Sequence, residues 1–127
     1  TGKLPFRDRN QGGILAATLE RNRLASEIEA LRRHTERRLR ELDFRLAAAQ
    51  SAVRTLRQDI LPLTDRAYDT LRESYRQGRT TYLDVFDARR QYVEARAREL
   101  DQLAELNRLS AERLRLLGRL LDPAVSR

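Results

Sequence analysis

From Ile14 onward the apolar positions recur at helical spacing. Leu39, Leu42, Leu46, Ala49, Val53, Leu56, Ile60, Leu63 and Ala67 alternate steps of three and four without a slip. A seam with this 3.5-residue period favours left-handed supercoiling against a partner helix. Pro62 lies inside the run, and proline both deletes an amide donor and clashes with the preceding turn. Because the seam keeps its phase past Pro62, the expectation is one kinked but continuous helix. The first firm stop is Tyr75-Arg76-Gln77-Gly78-Arg79-Thr80-Thr81. Gly78 is placed to end a helix in the left-handed conformation. Thr81 followed by Asp84 matches a capping box that starts the next helix. A second seam then runs through Leu83, Phe86, Val93, Ala97, Leu100, Ala104, Ala111 and Leu114, with Arg90 and Asn107 in its polar slots. Gly118 and Asp122-Pro123 close it.

The pattern predicts a lead-in over 1–13, irregular or the tail of a strand, then a long helix over 14–75. A turn over 76–81, a return helix over 82–117 and a tail over 118–127 complete it. The fold class is all-α, a long antiparallel coiled-coil hairpin with unequal arms of roughly 90 and 55 Å at the α-helical rise. The mismatch leaves part of the first arm uncovered by the second. Leu24, Phe44, Leu71, Tyr92, Leu103, Leu106 and Leu116 lie off the two seams and widen the apolar stripes. Stripes this wide suit helices that touch neighbours on two sides. Assembly with further helices is expected.

Composition agrees. The chain has 127 residues, 40% hydrophobic, 6% aromatic and 35% charged, the balance of long helices. It begins at Thr1 and holds no Met, so it is expected to be a piece of a longer protein. Net charge is +7, and Lys3 is the one lysine among 26 basic residues. Such a balance invites a nucleic-acid reading. The arginines, however, are interleaved with acids such as Glu20, Glu27, Glu29, Glu36, Glu94, Glu99 and Glu105. Interleaved signs mark solvated helix faces, and no nucleic-acid partner is expected. Cysteine is absent, which removes disulfides and thiolate ligands. His34 is the lone histidine, and a metal site needs converging ligands. No catalytic set, phosphate-binding loop, cofactor motif or metal spacing is present, so the chain reads as non-enzymatic. No stretch reaches the roughly 20 apolar residues of a membrane-spanning helix.

Two segments carry a family resemblance. Leu4-Pro5-Phe6-Arg7-Asp8-Arg9-Asn10-Gln11-Gly12 resembles the strand-to-helix junction of the TolC-like outer membrane factors. Tyr75 through Ala88 resembles that family's turn motif, in which a glycine precedes Leu-Asp-Val-Leu-Asp-Ala; here Leu83-Asp84-Val85-Phe86-Asp87-Ala88 stands in its place. The separation of the two, Pro62 between them and the closing Leu116-Leu117-Gly118 also fit. The Asp-Arg-Asn-Gln-Gly string looks most like the branch serving cobalt-zinc-cadmium efflux.

The resemblance implies a homotrimeric export duct of a tripartite pump, with a β-barrel in the outer membrane and an α-barrel through the periplasm. This chain would be the second periplasmic hairpin of each protomer, with lead-in 1–13 following the last barrel strand. Implied partners are a periplasmic adaptor (membrane fusion protein) and an inner-membrane resistance-nodulation-division transporter, with heavy-metal cations as the cargo. By the same resemblance, Asp84 and Asp87 match aspartates lining the constriction at the channel tip. Both lie on one helix face; Asp84 serves equally well as a cap for its own turn. Tyr75, Gly78, Arg79 and Thr80 match the tip region that closes the channel and meets the adaptor, the family's gate arginine falling where Thr80 stands. The competing class is a coiled-coil protein-interaction module without a transport role. It accounts for the seams but not for the unequal arms or the turn motif.

Overall fold

The computed structural model describes residues 6–121, with side chains from residue 10 onward. It is the expected all-α hairpin. Helix α1 (Phe6–Thr55) passes through a π-turn (Leu56–Ile60) into α2 (Leu61–Arg76), and α3 (Tyr82–Leu121) returns. There is no strand among the described residues.

The chain divides into two units, one up to Leu39 and one from Arg40. In the first, α1 is a solvated rod. Its residues from Asn10 on are exposed except for the partly covered Glu29, Thr35, Glu36 and Leu39. Ile14, Leu15, Leu19, Ile28 and Leu31 all face solvent. Good helix formers carry it, helped by pairs such as Glu20–Arg23 at 2.9 Å and Glu29–Arg32 at 3.2 Å. Exposed pairs of this kind contribute about 0–1 kcal/mol each.

The second unit is the hairpin, and its core is a thin seam. Leu42, Ala49, Leu109 and Leu116 form a buried cluster, with Leu46 and Leu106 packed against it. Val53, Leu56, Leu61, Val85, Ala88 and Ala95 continue the buried line toward the turn. Ion pairs cross beside this seam. Asp43 accepts from Arg113 at 2.6 Å, and Glu105 from Arg45 at 3.0 Å.

Two expectations about the seams are corrected here. On the first arm the phase holds through Leu56 but not past Pro62. Leu61 is buried, and Thr64, Tyr68 and Leu71 are partly covered, whereas Leu63 and Ala67 are exposed. The cause is the π-turn. The Leu61 amide donates to the Leu56 carbonyl, five residues back, so that turn consumes one residue more than an α-turn. A wider turn also relieves the clash that the Pro62 ring would make with the carbonyl four residues earlier.

On α3 the expected seam is not the covered one. Leu83, Phe86, Val93, Leu100 and Leu114 are all more than half exposed. The covered face is instead Val85, Ala88, Tyr92, Ala95, Glu99, Gln102, Leu106, Leu109, Arg113 and Leu116, itself an unbroken alternation of threes and fours. This face carries Glu99 and Arg113, which meet Arg57 and Asp43 of the other arm, so it looks poorer in sequence than it is in space.

The boundaries also differ. Helix α1 starts at Phe6, so residues 6–13 are not the irregular lead-in that was expected; residues 1–5 lie outside the described residues. Gly12 and Gly13 are absorbed, at about 1 kcal/mol each relative to alanine. The first arm ends at Arg76 rather than 75, and α3 runs to Leu121, through Gly118. The expected tail is therefore helical over 118–121, and residues 122–127 lie outside the described residues.

Candidate functional site at the hairpin turn

The turn is built from two complementary helix ends. At the close of α2 the Arg79 amide donates to the Ser74 carbonyl at 2.9 Å, and the Gly78 amide to the Tyr75 carbonyl at 2.9 Å. This is a Schellman arrangement, which requires a left-handed residue after the helix cap. Gly78 supplies it with φ 69°. A side-chain bond from Gln77 Nε2 to Glu73 Oε1 at 2.8 Å backs the last turn.

At the start of α3 the capping box is complete. The Asp84 amide donates to Thr81 Oγ1 at 3.3 Å, and Asp84 Oδ2 accepts from the Thr81 amide at 3.0 Å. The same oxygen accepts from the hydroxyls of Thr81 at 2.6 Å and Thr80 at 2.7 Å. These donors, the Thr81 hydroxyl foremost and then that of Thr80, hold the Asp84 carboxyl below its ordinary value. The cause is plain: hydrogen bonds to the charged form favour it.

The sequence-identified residues thus fall into separate groups. Thr80 and Asp84 meet. Tyr75 packs edge-on against Tyr82, with ring centroids 6.0 Å apart at 65°. Gly78 shapes the backbone, and Arg79 lies exposed on the turn. Asp87 is not drawn into the cap; its Oδ1 accepts from Arg90 at 3.4 Å. Asp84 and Asp87 therefore share a helix face but not a partner. Leu83 and Phe86, beside them, are 66% and 52% exposed and begin the uncovered apolar stripe of α3.

A second polar cluster, not singled out from sequence, lies within the hairpin seam. Glu99 is 5% exposed. Its Oε1 accepts from Arg57 Nε, and its Oε2 from Arg96 Nη1 at 3.0 Å. Arg96 also donates to the Tyr92 hydroxyl at 3.2 Å, its guanidinium 5.6 Å from the ring centroid. The Arg57 hydrogen bond, then that of Arg96, pulls the Glu99 carboxyl below its ordinary value against the opposing effect of burial. The legible signal was the spacing of Glu99 from Ala95 and Ala88, three-four steps that place it on an apolar line. Among the described residues, no group of three or more His, Cys, Asp or Glu is placed to hold a metal ion. No described helix is long and apolar enough to cross a membrane.

Fold and turn together define a class: a helical hairpin with one apolar face closed internally and another left open on its return helix. Over 116 residues the chain is 32% identical to the cobalt-zinc-cadmium resistance protein CzcC of Cupriavidus metallidurans. The match takes in 91% of this chain and 28% of that protein's length. This similarity bears out the resemblance to the cobalt-zinc-cadmium branch of the outer membrane factors. No protein-family model matches the chain, and neither does any solved structure.

Proposed function

We propose that the chain is a wall segment of an outer membrane efflux duct, a passive conduit for heavy-metal cations with no reaction catalysed. In this reading the hairpin stands in the periplasm, three protomers form the channel, and the Gly78 turn faces the adaptor protein of a pump driven from the inner membrane. Similarity to a cobalt-zinc-cadmium resistance protein supports the branch and the cargo. The observation that carries the reading is the outward stripe of α3. Leu83, Phe86, Val93, Leu100 and Leu114 repeat at heptad spacing yet stay exposed, although α3 already has a covered face. A hairpin complete in itself has no need of a second heptad stripe; a stave in a closed helical wall needs one on each flank.

The turn refines the role of the aspartates. Asp84 is consumed in capping, with three donors on one oxygen. Asp87 is the residue proposed to line the aperture, where three copies around an axis would attract cations. The test is conductance of the reconstituted full-length channel. Asp87→Ala is expected to weaken block by divalent cations while leaving the hairpin helical. Asp84→Asn is expected to loosen the turn first. Unchanged block in Asp87→Ala would remove the constriction assignment.

The competing reading, an interaction module, also uses an exposed stripe. It is separated by the same protein: a module forms no ion-conducting pore in a bilayer.

A further inference from the structure

The segment after Pro62 carries two stripes one residue out of step. In an unbroken α-helix the seam reaching Leu56 and Ile60 would continue through Leu63 and Ala67. In the structure Leu61 is 6% exposed and Leu63 is 64% exposed. What separates the alternatives is the extra residue of the π-turn, marked by the Leu61 amide bonding to the Leu56 carbonyl. Two features hold that residue in place. Pro62, at the head of α2, disfavours a regular α-turn across it. Arg57, inside the π-turn, reaches across the hairpin to Glu99. Glu99 is nearly buried on the inner face of α3, and a buried carboxylate is costly unless paired. Arg96, on the same helix, meets one Glu99 oxygen, and the geometry of the π-turn puts Arg57 against the other from across the hairpin.

We infer that the Leu56–Ile60 π-turn is a register device: its additional residue, held by Pro62 and by the Arg57–Glu99 pair, selects the Leu61 stripe over the Leu63 stripe and so fixes which flank of α2 faces outward. Conversion of the π-turn to α-helix would rotate α2 by about 100°, the angle of one residue. That rotation would carry Tyr75 and the approach to the turn with it. The inference stands on the hairpin alone and does not depend on the transport reading.

The chain has no cysteine, so single thiols report the register directly. Leu63→Cys is expected to react with a maleimide at least about tenfold faster than Leu61→Cys, since a buried thiol is reached only through local opening. Placed in a Pro62→Ala, Glu99→Gln background, the two thiols are expected to exchange order. An unchanged order in a background that keeps its helicity would overturn the inference. Should that background lose its helicity, deletion of Asp59 decides the matter. Removing one residue makes Leu56 to Leu61 a four-residue step, so an ordinary α-turn then serves the Leu61 stripe. Full helicity with Leu63→Cys still the faster thiol is expected; lost helicity or a reversed order would overturn the device.

Discussion

Truncating one leucine on each stripe of α3 separates the covered face from the open one. Leu109 is 1% exposed and sits in the cluster with Leu42, Ala49 and Leu116. Leu109→Ala removes buried methyl groups and leaves a space that a rigid two-helix seam cannot close. The expected cost is about 3 kcal/mol, within the range for fully buried leucines. Leu100 is 66% exposed on the same helix. Leu100→Ala exchanges one strong helix former for another at a wet position, and about 0.5 kcal/mol or less is expected. Urea unfolding of the 127-residue chain, followed by far-ultraviolet circular dichroism, measures both as shifts in midpoint at constant slope. Dilute protein is essential, because association through the open stripe would make the Leu100→Ala cost grow with concentration. Equal costs for the two truncations at high dilution would refute the assignment of faces, as would a larger cost at Leu100.

The remaining predictions concern the turn and the buried charge. Gly78→Ala places a Cβ at φ 69° with nothing within 4 Å of it, so backbone strain alone acts. A loss of about 1–2 kcal/mol is expected in the same unfolding assay, and no loss would contradict the Schellman turn. Thr81→Ala removes the acceptor for the Asp84 amide and should cost about 1 kcal/mol, again read by urea midpoint. Glu99 and Glu105 are held below the ordinary carboxyl value of 4.5 chiefly by Arg57 and Arg108 respectively, and Asp84 below 3.8 by Thr81. Depressed groups stabilise the fold above their unfolded values and lose that contribution as pH falls through their folded values. The thermal midpoint should therefore drop on acidification below about 4.5, with a smaller drop in Glu99→Gln; a midpoint that rises there would contradict the pairing.

The turn was legible in the sequence because its chemistry is local. A glycine that must adopt positive φ, and a threonine three residues before an aspartate, leave few alternatives over so short a span. The seam phases were less legible, for two different reasons. On the first arm, periodicity counted residues correctly but assumed that every turn uses the same number, and the π-turn breaks that assumption where Pro62 discourages an α-turn. On α3, counting apolar residues favours the stripe through Leu83, Leu100 and Leu114. The covered face is hard to recognise because it includes Glu99 and Arg113, whose partners Arg57 and Asp43 are far away in sequence. Long-range ion pairs let polar residues occupy a seam, and no local pattern reveals them. The early start of α1 was hidden by Gly12 and Gly13, which read as breakers but weaken a helix without ending it.

Asp84 stands at the turn, where one oxygen of its carboxylate accepts three hydrogen bonds from Thr80 and Thr81. Asp87, whose Oδ1 meets Arg90 at 3.4 Å, is the residue proposed to meet ions.

The open stripe of α3 is tested most directly by the oligomeric mass of the full-length protein carrying Val93→Glu and Leu100→Glu, measured by native mass spectrometry. Charges at these two exposed positions spare the hairpin seam but would be buried in a helical wall. Loss of the oligomer, with helix content retained, is the expected result. An oligomer of unchanged mass and stability would contradict the claim that this stripe is where neighbouring helices pack.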